Sequence, residues 1–340
     1  MPTREDLKIL QLQDLDLKVM LTKQRLREWV TYYGENGVYV SFSGGKDSTV
    51  LLNIVREMYP DVEAVFVNTG LEYPEIQRFV KSFDNVKIIY PQKTFKQVIT
   101  EYGYPIISKD VSTVVGDIRH GSKYDGYYRR INGTEVQKNG KKSIYNIEKY
   151  KPLLYTDFVI SNKCCNVMKK ATAHKFERET GKKAIIATMT EESRIREQSW
   201  LKNGCNAFDS KHQISKPMSF WTEQDVLQYI KENNIKIPSL YGDICADKNG
   251  QLSFDDCGCK LCTTGLSRTG CIYCGFGAHL DKGESRFERL KRTHPKQYDF
   301  CINGGEYDVD GLWKPNDKGL GMGHVFYVLN SLYGKNFIRY

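Results

Sequence analysis

Two groups of residues in this chain have the types and spacing to do chemistry. The first is the turn Ser43-Gly44-Gly45-Lys46-Asp47-Ser48, set between the apolar run VYVSF (38–42) and the helix-patterned stretch DSTVLLNIVREMY (47–59). A Gly-Gly turn entering a helix lets backbone N–H groups approach an anion with no Cβ in the way, and the helix start adds a partial positive charge. Lys46 contributes a mobile ammonium, and Ser43 and Ser48 contribute hydroxyl donors. The spelling is neither G-x-x-x-x-G-K-S/T, because Asp47 follows Gly45-Lys46, nor G-x-G-x-x-G. The turn predicts a nucleotide-phosphate site outside those two loops. A tight strand-to-helix turn capped by Asp or Ser is the plainer alternative.

The second group is the cysteines, ten in all, at 164, 165, 205, 245, 257, 259, 262, 271, 274 and 301. Cys271-x-x-Cys274, between Gly270 and Gly275, can present two thiolates to one metal, and is compatible with zinc, a redox pair or iron–sulfur. Adjacent Cys164 and Cys165 lie far upstream, in NKCCNVMKK (162–170). Cys245, Cys257, Cys259 and Cys262 have a spacing that suits a knuckle around Zn2+, with loose surface thiols as the alternative. Cys205 and Cys301 have no sequence partners and read as structural thiols. The N-terminus mixes acids into its apolar positions and has no signal-peptide pattern, and no apolar run approaches the ~18 residues of a membrane span. These features predict a cytoplasmic chain with no membrane partner. There disulfides are disfavoured and metal or redox use of cysteine is favoured.

The elements that must position these groups alternate. Residues 3–33 read as one or two amphipathic helices, ended by Gly34 and Gly37. VYVSF, EAVFVNTG (63–70) and VKIIYP (86–91) read as strands, with helices over 47–59 and 73–83 between them. That order predicts βαβ units and a parallel sheet. A helix is expected around 163–180 and a strand at 183–189. Another helix is expected at 221–234, with Thr222 at its N-cap and Asp225 three residues on. RFERLKRTHPK (286–296) has the spacing of an amphipathic helix. Residues 119–151 are basic, tyrosine-rich and weakly periodic, and read as an insertion. There Arg119, Lys123, Arg129, Arg130, Lys138, Lys141 and Lys142 interleave with Tyr124, Tyr127 and Tyr128, which suits nucleic-acid phosphates and bases, or else a solvated loop. The net charge of +9 is a mild bias toward anionic partners. The expected division is an N-terminal helical segment (1–35), a nucleotide-binding α/β domain carrying the insertion (36–240), and a cysteine-rich C-terminal region (241–340).

SGGKDS resembles the PP-loop of the ATP pyrophosphatases. Within them the chain is most similar to the phosphoadenosine phosphosulfate (PAPS) reductase group, which also includes enzymes that put sulfur into nucleic acids. FVNTGLEYPEI (66–76) resembles that group's strand-two signature, and TEESRIRE (190–197) its Glu-Ser-x-x-Arg block. KPMSFWTEQDVLQYIKENNIKIPSLY (216–241) and SRTGCIYCGFG (267–277) resemble its Pro…Trp-Thr…Leu-Tyr region and its Arg-x-Gly-Cys-x-x-Cys element. The blocks stand in the group's order across residues 36–300.

The resemblance implies an α/β fold, a Rossmann-like (adenine nucleotide alpha hydrolase-like) parallel sheet flanked by helices. It implies that Ser43, Gly44, Gly45, Lys46, Asp47 and Ser48 bind nucleotide phosphates, with Lys46 and Asp47 catalytic. Asn68, Thr69 and Gly70 would lie near the adenosine, Glu72 would contact metal or ribose, and Arg196 would meet phosphate oxygens. The group's Gly-x-Arg before the Glu-Ser pair is replaced here by Ala187 and Met189. A 4Fe-4S cluster is implied on Cys164, Cys165, Cys271 and Cys274, with Cys262 as the alternative to Cys164. The reductases' C-terminal Glu-Cys-Gly-x-His is not matched by LYGKNFIRY, and no cysteine follows Cys301. This predicts an ATP-dependent sulfur transferase over a sulfonucleotide (PAPS or APS) reductase. In that reading ATP, with Mg2+, adenylates a nucleic-acid acceptor for thiolation, DNA first and tRNA second. The sulfur comes from a donor protein such as a cysteine desulfurase. A non-catalytic nucleotide- and nucleic-acid-binding subunit is the other alternative.

Overall fold

The computed structural model describes residues 2–246 and 260–340, so Cys257 and Cys259 of the knuckle expectation lie outside the described residues. The strands of the described residues in chain order are β1 (Val38–Ser41), β2 (Ala64–Val67), β3 (Val86–Ile89), β4 (Ile106–Ile107), β5 (Lys183–Ile185), β6 (Asn206–Ala207), β7 (Ile214–Ser215), β8 (Ile244–Ala246), β9 (Leu261–Thr263), β10 (Gly275–Phe276), β11 (Glu306–Tyr307) and β12 (Trp313–Lys314). The first helices are α1 (Arg4–Gln11), α2 (Leu15–Tyr33), α3 (Lys46–Met58) and α4 (Pro74–Lys81). Two units divide the chain. Unit 1 takes Met1–Asn68, Glu72–Tyr90 and Thr172–Thr269, and unit 2 takes Thr69–Leu71, Pro91–Ala171 and Gly270–Tyr340. These units cut across the spans 1–35, 36–240 and 241–340, because the chain leaves unit 1 after β3 and returns to it before β5.

Unit 1 is built on a six-stranded sheet in the order β3-β2-β1-β5-β7-β6. All neighbours are parallel except β6, which runs antiparallel to β7. β1 is central and reads as a continuous apolar run because both its faces are covered. Val38 and Val40 have no exposed surface, and Tyr39 packs with Val65, Phe176 and Ala184. Open α/β sheets of this kind bind ligands beyond the carboxyl ends of their strands, and the Ser43–Ser48 turn follows the carboxyl end of β1. At one edge, β3 carries Lys87 on its exposed side, with Nζ 5.1 Å from the Phe176 ring.

The expected cap at Thr222 is present: Thr222 and Asp225 exchange the reciprocal hydrogen bonds of a capping box at the start of the helix Glu223–Glu232. Asp225 does a second job. Its two carboxylate oxygens accept from Lys18 Nζ at 2.9 and 2.7 Å, and Lys18 also donates to the Gln11 carbonyl at 2.8 Å. This buried pair ties α2 to a helix 207 residues away in the chain.

In unit 2, β4 and β10 pair in parallel. The expected helix at 163–180 is one α-turn (Lys163–Cys165), a π-helical stretch (Asn166–Lys170) and an α-helix (Ala171–Thr180). The 286–296 stretch forms the helix Arg286–Thr293, which ends before Pro295 opens a second helix, Pro295–Ile302, at its first turn. The basic insertion is more ordered than its composition suggests. It holds the helix Asp125–Ile131 and a 3-10 stretch Glu148–Tyr155. Three of its cations are taken by local acids: Arg129 by Asp125 and Glu135, Arg130 by Asp110, and Lys142 by Glu148. Among the described residues no helix is long and apolar enough to cross a membrane.

Candidate nucleotide-phosphate site and cysteine centre

The Ser43–Ser48 turn is shaped by hydrogen bonds of its own. The Ser43 N–H donates to Ser48 Oγ at 3.2 Å, and the Ser48 and Thr49 hydroxyls both donate to the Gly45 carbonyl, at 2.9 and 3.0 Å. Gly44 has φ +72°, and a Cβ there would stand 2.7 Å from Val80 Cγ2 and 2.8 Å from Ile76 Cγ2, so the turn lies directly on α4. Gly45 is the N-cap of α3 and gives it no side-chain cap. No side chain at the N-cap position therefore bonds the first amides of α3, a feature that suits an anion site. The Lys46 N–H donates to the Tyr241 hydroxyl at 3.3 Å, and that hydroxyl bonds to Thr269 Oγ1 at 2.9 Å.

The Lys46 side chain is buried. Its Nζ donates to the Ser267 carbonyl at 2.9 Å and stands 3.2 Å from Glu223 Oε1. Burial raises the Asp47 carboxyl above its ordinary range, against the pull of Lys46 and Arg268. Asp47 Oδ1 is buried and makes no hydrogen bond; Lys46 Nζ, at 3.6 Å, is beyond hydrogen-bonding distance. Arg196 belongs to the same electrostatic neighbourhood. Burial, and then Arg268, lower its guanidinium pKa, while Asp47 opposes that shift. Glu192 pairs with both arginines, reaching Arg268 Nη1 at 3.5 Å. Lys216 is lowered by burial and then by Arg196. Ser193, the motif's serine, has a local task as N-cap of the helix Arg194–Asn203.

The structure thus gathers Ser43–Ser48 and Arg196 as the sequence suggested. It adds Glu223, Tyr241, Ser267, Arg268 and Thr269, which single-sequence reading left unassigned although Glu223 and Tyr241 fall inside the matched 216–241 block and the other three in 267–277. Asn68 closes β2, its N–H donating to the Ile89 carbonyl at 2.9 Å. Thr69 and Gly70 group with unit 2 instead, with Gly70 at φ +73° and Thr69 Oγ1 accepting from the Leu71 N–H at 3.3 Å. Glu72 is nearly buried in unit 1.

Within unit 2, Cys164, Cys165, Cys271 and Cys274 line one pocket with Leu71, Phe95, Pro105, Met168 and Lys169. Local geometry explains how they meet. The Cys274 N–H donates to the Cys271 carbonyl at 3.1 Å, closing the turn, and the Ile272 N–H holds the turn to the Leu71 carbonyl at 2.8 Å. Gly275 lets the chain pass against the pocket wall, since a Cβ there would meet the Pro105 carbonyl at 2.7 Å. The β-branched Ile107 opposite is held at φ +63°, a backbone strain that tertiary packing must enforce. The thiols sense one another. A hydrogen bond from Cys164 lowers the Cys165 thiol, with Lys109 and Lys169 helping. Cys164 is raised by that same bond, by burial and by its three sulfur neighbours, and Cys274 is raised by burial. Among the described residues, no three His, Cys, Asp or Glu side chains are arranged to hold a metal ion.

The remaining described cysteines stand apart. Cys245 and Cys262 face each other across the antiparallel β8–β9 pair in unit 1, with Sγ atoms 3.1 Å apart. Cys205 accepts from Trp200 Nε1 at 3.4 Å and Cys301 donates to Met322 Sδ at 3.5 Å; burial pushes both thiols up.

The profile of the family described as "Phosphoadenosine phosphosulfate reductase domain" matches residues 37–110 and 120–265. An adenosine 5'-phosphosulfate reductase of Staphylococcus epidermidis is 23% identical over 241 residues, 70% of this chain and 74% of that protein. An uncharacterized protein of Methanocaldococcus jannaschii is 32% identical over 72 residues, 20% of this chain; the chain spans only 18% of that relative's length. Among solved structures, the PAPS reductase from Candida auris in its phosphate complex has a TM-score of 0.38 at 13% identity, covering 71% of this chain and 91% of that chain. The U34-tRNA thiolase from Methanococcus maripaludis with its 4Fe-4S cluster has a TM-score of 0.34 at 15% identity, covering 65% of this chain and 66% of that chain.

Proposed function

We propose, from the premise that this chain belongs to the phosphoadenosine phosphosulfate reductase domain family, that it is an ATP pyrophosphatase-type enzyme which activates a nucleic-acid acceptor for sulfur transfer. The observation that carries the sulfur-transfer reading is the division of labour among the described cysteines. Four line one pocket, whereas Cys205 and Cys301 are buried with their thiols pushed up, which suits packing and not nucleophilic attack.

In this reading an acceptor oxygen attacks the α-phosphate of ATP, a new O–P bond forms, and the bond to the β-phosphate bridge breaks to release pyrophosphate. Lys46 and the first amides of α3 take the negative charge of the departing pyrophosphate, and Arg196 and Arg268 face the non-bridging oxygens. The orphaned, buried Oδ1 makes Asp47 the fitting ligand for Mg2+, which when bound neutralises phosphate charge. Cys164, Cys165, Cys271 and Cys274 fit a 4Fe-4S cluster by donor type. Such a cluster supplies either a seat for the transferred sulfur or a structural brace. DNA is the first acceptor to test and tRNA the second, with a sulfur-donor protein such as a cysteine desulfurase as partner.

The match to an adenosine 5'-phosphosulfate reductase favours a second reading, reduction of a sulfonucleotide bound on the same loop. One experiment separates the two. Anaerobically purified protein is assayed for iron and acid-labile sulfide, then for pyrophosphate release from ATP with single-stranded DNA, duplex DNA or tRNA. Near-equal iron and sulfide, and release that needs one nucleic acid and is lost in Lys46→Ala, is the expected result. Sulfite from a sulfonucleotide and a thiol reductant, with no pyrophosphate from ATP, would replace it with the reductase reading. A colourless, zinc-loaded protein would remove the cluster.

A further inference from the structure

The ammonium that should meet phosphate is not waiting in solvent. Lys46 is 2% exposed. Its Nζ donates to the Ser267 carbonyl at 2.9 Å, stands 3.2 Å from Glu223 Oε1 and 3.6 Å from Asp47 Oδ1, and lies 5.7 Å from the Tyr241 ring centre. An ammonium has three N–H donors; here one is bonded to the Ser267 carbonyl, and the carboxylates of Glu223 and Asp47 stand close by as ion partners. A phosphate oxygen arriving at Nζ therefore competes with Glu223 for the ammonium. Ser267 contributes backbone, and Asp47 is the next residue on the same helix turn. Glu223 differs. It is the first residue of another helix and its side chain is 34% exposed, so it can rotate outward without moving backbone.

We infer that Glu223 is a built-in stand-in for a phosphate oxygen: it neutralises Lys46 in the empty site and is displaced by the incoming anion, so that it sets how much charge a ligand must bring. The inference rests on the phosphate reading of residues 43–48. The same logic holds next door, where Glu192 occupies both Arg196 and Arg268. The site's own carboxylates thus pair with its cations. A singly charged ligand that displaces Glu223 exchanges one negative charge for another and gains little. A polyphosphate gains more, because it reaches Lys46, the α3 amides and the arginine pair at once.

The test uses inorganic pyrophosphate and the full chain, titrated by calorimetry at fixed ionic strength. Glu223→Gln keeps the shape and an acceptor oxygen but removes the charge. It is expected to bind pyrophosphate about tenfold more tightly, ~1.4 kcal/mol, and to prefer pyrophosphate over inorganic phosphate less than the wild type does. Its ligand-free melting temperature should fall while the pyrophosphate-induced rise grows, a pair of changes that a merely structural glutamate would not produce. Glu223→Asp, which keeps the charge, should stay close to wild-type affinity and serves as the comparison if the glutamine variant folds poorly: tighter binding by the aspartate variant would count against the inference. Equal or weaker pyrophosphate binding by Glu223→Gln, with wild-type binding intact, overturns this inference alone. No binding by the wild type overturns the phosphate reading with it.

Discussion

Gly44→Ala tests whether the turn works because of its backbone. The new Cβ would stand 2.7 Å from Val80 Cγ2 and 2.8 Å from Ile76 Cγ2, at a residue with φ +72°. Two costs add. An L-residue in the left-handed region costs about 1–2 kcal/mol. Overpacking a core contact costs about 1–3 kcal/mol, and little of that relaxes here, because both neighbours are β-branched and buried at 0% and 2% exposure. The sum is about 2–5 kcal/mol, a large share of the ~5–15 kcal/mol that holds a typical domain. Urea unfolding of the full chain, followed by circular dichroism, should show a lower midpoint with an unchanged slope. A double-mutant cycle with Val80→Ala isolates one share of the cost: the Val80 part of the packing term should be recovered, whereas the Ile76 part and the backbone part should not. A loss below ~1 kcal/mol, or complete recovery by Val80→Ala, would refute the claim that Gly44 is required for its φ and its contact with α4 together.

Lys18→Met leaves the Asp225 carboxylate buried without its ammonium and should cost about 3–5 kcal/mol in chemical unfolding, partly restored in Lys18→Met/Asp225→Asn; a loss under ~1 kcal/mol would mean the pair is expendable. His279 gives a pH signature. Burial, then Lys149 and Arg286, hold its imidazole below the ordinary value of 6.5, and its Nδ1 is buried without a partner. The unfolded chain therefore binds the proton first, and stability should fall as pH drops from about 6.5 toward the depressed folded value. His279→Phe keeps an aromatic ring beside Phe337 and should flatten that decline in melting temperature between pH 7.5 and 5; superimposable pH slopes would contradict it.

How much of this was legible in the sequence depends on how far apart the cooperating residues lie. The Ser43–Ser48 turn between β1 and α3 and the Thr222–Asp225 cap are local, and their residues announced them as a turn and a cap. The alternation through residue 91 gave the parallel strands, because each element is long enough to show its period. β6 and β7 have two residues each, too few for any period, so the antiparallel edge went unseen. Lys18 read as one more polar position on a helix, since its partner is 207 residues away. The same holds at the site: Lys46 stood out, but Glu223, Tyr241 and Ser267, which surround its ammonium, come to it only through tertiary folding. Of the insertion's cations, composition counted every one, whereas the structure shows Arg129, Arg130 and Lys142 already engaged by acids.

β3 has one further consequence. It borders the sheet on one side and, among the described residues, pairs with β2 alone, so its other flank is where a foreign strand would add. Three of its four residues are apolar, the composition that invites such addition. The fourth, Lys87, is exposed and carries an ammonium that a second copy would have to strip of water or repel. A chain that completes this edge before it crosses to unit 2 holds an unfinished assembly in the meantime. An exposed lysine in a short edge strand is the kind of residue that disfavours edge-to-edge addition, a role separate from the chemistry of the Ser43–Ser48 turn or the cysteines.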